Sequence, residues 1–170
     1  MTTTAAGIVS TTVSTAAAGA LAPLGFELEE PAESGGDTRT GQGPRIWVYV
    51  QNDAAAATAW LPGTIVTRLA AATTELGIIA PVNAPTASVM GVAQHAIPAG
   101  SFGFILKRGL GEVLADTGGI AANLPMVVGN AVAGRADTTG VAATTYALGF
   151  STEGVAAAAL ATCWINCPGA

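Results

Sequence analysis

Turn signals recur along this chain roughly every 8–12 residues, and that spacing limits what it can fold into. Pro62-Gly63, Pro98-Ala99-Gly100 and Asp116-Thr117-Gly118-Gly119 each punctuate short runs rich in β-branched and aromatic residues. Segments that short cannot be long helices, and their residue types suit a pleated sheet. The spacing predicts an all-β domain: a small barrel, or a β-tulip or sandwich of short antiparallel strands.

"RIWVYVQ" at 45–51 is the clearest strand. Ile46, Val48 and Val50 point one way, and Arg45, Trp47, Tyr49 and Gln51 the other. Further strands are expected at Phe26–Glu30, "TIVTRLA" and Gly77–Ala80. "SVMGVAQHAI" is another, and its internal glycine marks a bulge. "SFGFILKRG" puts Phe102, Phe104 and Leu106 on one face. Gly109 and Gly111 then interrupt, and "EVLAD" resumes. "NLPMVVGNAVAGRAD", "ATTYALGFSTEG" and "AAALATCWINCPG" complete the set. The alanine runs Ala54–Ala57 and Ala156–Ala159 favour helix by propensity, so one short helix is the most expected.

The organisation predicted is an N-terminal arm over 1–24 and a single β-rich domain over 25–170. The arm, "MTTTAAGIVSTTVSTAAAGALAPL", lacks the basic start and unbroken apolar stretch of a signal peptide. No run of about 18 apolar residues predicts a membrane helix. Only 10% of residues are charged and the formal net charge is −5. The low charge points to a surface covered in an assembly. Lys107 is the only lysine and no basic patch exists, which argues against direct nucleic-acid binding. The acidic stretch Glu27, Glu29, Glu30, Glu33 and Asp37 reads as a solvated loop or strand edge.

Several fragments imitate active sites. Gly109-Leu110-Gly111 lacks the third glycine and the following helix of a dinucleotide fingerprint. "GSFG" at 100–103 misses the nucleophile-elbow spacing. The single histidine, His95, lies six residues before Ser101 with no orienting carboxylate, and reads as a surface or interface residue. Asp116-Thr117-Gly118 after an apolar run matches one loop of an aspartic hydrolase, which needs two such carboxylates. An Asp-x-Gly turn between strands is common in its own right. Cys163 and Cys167 share a strand face with Ile165. Their Cα atoms would be ~13 Å apart, too far for a disulfide. Free buried thiols in a reducing compartment are expected. No metal site, cofactor or catalytic residue is predicted.

"LAPLGFELEEP", a polar loop, then "RIWVYVQNDAAAATAWLPGTIVTR" resembles the opening of small capsid decoration (cement) proteins of tailed bacteriophages. "GVAQHAIPAGSFGFILKRGLGEVLAD" is similar to their central hairpin, and "NLPMVVGNAVAGRAD" to the stretch after it. The pattern covers about residues 21–170. The acidic loop at 27–37 is longer than that pattern, and residues 1–20 have no counterpart in it. The resemblance implies a non-enzymatic virion protein made in the host cytoplasm. It would bind the major capsid protein outside the shell as a homotrimer, resisting the pressure of packed DNA.

Candidate interface residues follow. Arg45, Trp47 and Tyr49 lie opposite the apolar stripe of their strand, where exposed aromatics would make hot spots. A sandwich buried on both faces would instead hide them without a partner. Lys107 and Arg108 form the one positive spot, a candidate contact to an acidic neighbour. Alternatives are a tail-tube or fibre-attachment domain, a hydrolase built on Asp116, and a carbohydrate-binding domain. The last is disfavoured by aromatics at only 5%.

Overall fold

The structure, a computed structural model, describes residues 15–30, 43–56, 58–69, 75–138 and 147–167. Its strands are β1 (Glu27–Glu30), β2 (Arg45–Asn52), β3 (Ile65–Arg68), β4 (Leu76–Ile79) and β5 (Val89–Ala93). They continue with β6 (Phe102–Leu114), β7 (Pro125–Val128), β8 (Ala136–Asp137), β9 (Gly149–Ser151) and β10 (Leu160–Asn166). All belong to one 10-stranded hydrogen-bonded system, so the fold is all-β. Two single 3₁₀ turns, Ala54–Ala56 and Thr86–Ser88, are the helical pieces described. The second alanine run forms a turn instead, with Ala158 at φ 60°.

Five strands close on themselves. β2 pairs with β4, β4 with β3, β3 with β5, β5 with β6, and β6 with β2. Val48, Val50, Val66, Met90, Ala93, Ile97 and Ile105 pack with Trp60 into one buried cluster from these strands and the adjoining loops. The expectation of wholly antiparallel pairing needs a correction at β2 and β4, which run parallel through Gln51↔Leu76 and Asn52↔Gly77. The chain passes through β3 between them, which gives the long crossover that a parallel pair requires. The bulge expected in "SVMGVAQHAI" is present. Val66 faces Gly91 and Thr67 faces Val89, leaving Met90 as the extra residue.

The second half of β6 starts the other lobe. It pairs with β10, then follow β9, β7 and β8. A parallel bridge from Ala136 to Ala115 returns to the end of β6. Gly109 and Gly111 therefore do not interrupt the strand; β6 runs 13 residues through both. What changes there is the face. Trp47 faces Leu106 and Ile46 faces Arg108, so Lys107 is an extra, bulged residue. One extra residue exchanges the two faces of a strand. Before the bulge Phe104 and Leu106 enter the larger core cluster; after it Val113 and Ala115 do. A Cβ on Gly111 would run into the Leu106 side chain, which shows that both now look the same way.

Residues 15–24 of the expected arm lie against the domain. Ala17 exchanges two backbone hydrogen bonds of 2.8 Å with Phe102, and Ala22 joins the larger cluster. Residues 1–14, and Glu33 and Asp37 of the acidic stretch, lie outside the described residues.

Candidate functional site

The sequence places one candidate surface on β2, and its aromatics are not on a surface. Trp47 is 4% exposed and Tyr49 1%. The premise of exposed aromatics is corrected, and the reading of a strand covered on both sides holds. Val48 and Val50 fill the small cluster, while Trp47 and Tyr49 fill the larger one with Leu28 and Ala22. Their polar atoms are satisfied locally. The Trp47 Nε1–H donates to Glu30 Oε2 at 2.9 Å, and the Leu21 N–H donates to the Tyr49 hydroxyl at 2.9 Å. The Tyr49 ring lies 4.8 Å from that of Phe104 and 6.2 Å from that of Phe102. Arg45 is partly buried. Its Nε meets Glu30 Oε2 at 3.0 Å, and its guanidinium stands 5.6 Å over Trp47. Arg45, Trp47 and Glu30 thus form a lock between β1 and β2.

The basic pair is split by the bulge. Lys107 Nζ reaches Glu27 Oε1 on β1 at 2.6 Å. Glu27 is half exposed, so water screens this pair and its contribution to stability is small. Arg108 points away and is exposed. The cross-strand register puts it on the face of Leu110, Trp164 and Asn166.

That face carries the apolar surface the sequence reading missed. Phe150 is 55% exposed, Leu160 40% and Trp164 39%. Trp164 pairs across strands with Phe150 on one side and Leu110 on the other. A signal for it was present in "ATCWINC". Placing Cys163, Ile165 and Cys167 on one face places Trp164 on the opposite one. Both thiols are free and buried. Burial, with the nearby Cys167, Glu112 and Glu153, pushes the Cys163 pKa up to about 12. Burial also raises that of Cys167 to about 12, against the opposing pull of Lys107. Both are protonated at neutral pH, hence poor nucleophiles.

The catalytic look-alikes have structural employment. Asp116 is fully buried. Its Oδ1 accepts the Thr117 N–H at 2.8 Å and its Oδ2 the Ala131 N–H at 2.9 Å. Ser101 donates its backbone N–H to Pro98 in the turn that Gly100 permits with φ 76°. His95, expected at the surface or at an interface, is half-buried, and both its ring nitrogens are buried without a hydrogen-bond partner among the described residues. Burial lowers its pKa below 6.5.

A pH dependence follows. Above about pH 6.5 the ring is neutral in both states and His95 contributes no slope. Below that value the unfolded chain takes up the proton first, so stability falls until the folded ring also protonates. Melting temperatures taken from pH 8 down to pH 5 are expected to begin dropping near pH 6.5. The His95→Gln variant should lack that step; an unchanged step would assign it to other groups.

No protein-family model matches this chain, and no curated protein does. Among solved structures, the N base of the head fiber gp8.5 of bacteriophage phi29 has a similar fold. The TM-score is 0.53 at 15% identity, over 71% of this chain and 93% of that one. At that identity the likeness is one of fold.

Proposed function

We propose that this chain is a structural protein of a bacteriophage virion, bound to the outside of the capsid shell and stabilising it. The observation that carries this reading is the fold shared with a phage head-fiber base over most of both chains. The order of pieces in the sequence, which resembles that of capsid decoration proteins, supports it independently. The physics agrees. The sheet is closed on itself in one lobe, charges are few, and one sheet face exposes Phe150, Trp164 and Leu160, an apolar surface suited to contact. In this reading the chain has no catalytic role, and Asp116 serves the fold.

The neighbour also favours a second reading, in which the chain is the base of a fiber rather than a cement. The two differ in what binding does to the shell. Purified protein should co-sediment with capsid shells that lack it. A cement raises the temperature at which those shells lose their DNA, whereas a fiber base binds and leaves that temperature unchanged. Protein that stays in the supernatant at every concentration would remove both readings.

A further inference from the structure

The outer face of β6, β10 and β9 bears an apolar centre flanked by opposite charges. Phe150 and Trp164 stand exposed side by side on neighbouring strands, with the buried Leu110 next to Trp164 on β6 and Gly43 against one edge of the Trp164 ring. Leu160 extends the patch toward the far end of β10. A Trp and a Phe exposed together on a sheet face are the residue types that anchor interfaces. Along β6 the face reads Arg108, Leu110, Glu112: cation, apolar, carboxylate. Arg108 and Glu112 are ~13 Å apart along an extended strand, too far to pair with each other. Arg108 has no ion pair among the described residues.

A face in that order complements itself. A second copy turned by half a revolution about an axis near Leu110 and Trp164 brings its Glu112 over Arg108. Its Arg108 then lies over Glu112, and Phe150 and Trp164 meet their counterparts. A partner of either single charge would oppose one end of the patch, so the charges favour this occupant. We propose that a second copy of this chain docks on this face with two-fold symmetry. The inference is independent of the function proposed above, and it differs from the trimer that the family resemblance implies.

The test is the mass of the full chain in solution, by sedimentation equilibrium over a range of concentrations. The expected result is a monomer–dimer equilibrium. Phe150→Ser and Arg108→Glu should each weaken it at least about tenfold. Combining Arg108→Glu with Glu112→Arg should restore the affinity lost by Arg108→Glu alone, because the pair is remade across the axis. Circular dichroism of each variant as a monomer checks folding; if a charge variant does not fold, Phe150→Ser, at an exposed position, carries the test. A wild-type monomer at the highest concentrations, a trimer, a dimer indifferent to these substitutions, or no recovery in the folded double variant would overturn the proposal.

Discussion

Gly149→Ala is expected to cost about 3 kcal/mol or more and to lower the melting temperature by roughly 6–12 °C. Gly149 has φ 143°, a conformation that a side chain resists. The space is also taken. A Cβ there would press on the Trp164 carbonyl, with its carbon at 2.8 Å and the Ile165 Cα at 3.1 Å. Those are backbone atoms of β10, so no rotamer change relieves the clash. β9 must move off β10, and the Asn166 N–H to Leu148 carbonyl bond of 2.7 Å goes with it. Gly19→Ala is the control, since a Cβ at Gly19 meets nothing within 4 Å. It should change stability by less than about 0.5 kcal/mol. Equal melting temperatures for the two variants would mean that β9 is not pinned to β10 as described.

Most of the strands were legible because their signals are local. "RIWVYVQ" alternates and is bounded by loops, and it forms β2 as expected. Gly91 marked its bulge because a Cβ there would lie 2.7 Å from the Leu106 carbonyl oxygen, a close approach only glycine allows. The bulge at Lys107 was not legible. No glycine sits at that position, and the extra residue is defined only by pairing with β2, which is distant in sequence. That omission made Gly109 and Gly111 look like breaks, when they let β6 continue past Arg45 and Gln94.

The candidate surface failed for a related reason. Alternation shows that Trp47 and Tyr49 share a face, but not what covers it. Here Leu28 and Ala22 from the preceding segment and Phe104 from β6 cover them. The same alternation in "ATCWINC" put Trp164 opposite two cysteines and an isoleucine. That face is covered only in part: Gly43 comes up against the Trp164 ring and Leu110 is buried beside it, while Phe150 and the rest of Trp164 stay exposed. Which side of a strand is buried is a property of the neighbours, and a period-two pattern carries no record of them.

Replacing Asp116 separates a scaffold carboxylate from a catalytic one by the sign of its effect on stability. Asp116→Ala is expected to cost about 2–4 kcal/mol, read as a drop in the denaturant midpoint. Two backbone donors, the Thr117 and Ala131 N–H groups, lose their acceptors at 2.8 and 2.9 Å. The carboxylate also fills the space above Gly129, where a Cβ would lie 2.8 Å from its Cγ, so removal leaves a void under that loop. Asp116→Asn keeps the volume and one acceptor oxygen, but turns an NH₂ toward a backbone N–H. Its cost should fall between wild type and Asp116→Ala. A carboxylate held for catalysis behaves in the opposite way: active sites keep strained or under-satisfied groups, and neutralising one commonly leaves stability unchanged or raises it. A hydrolase built on Asp116 therefore predicts a stable Asp116→Asn variant that has lost an acid peptidase activity. The scaffold assignment predicts a destabilised variant and no such activity in either protein.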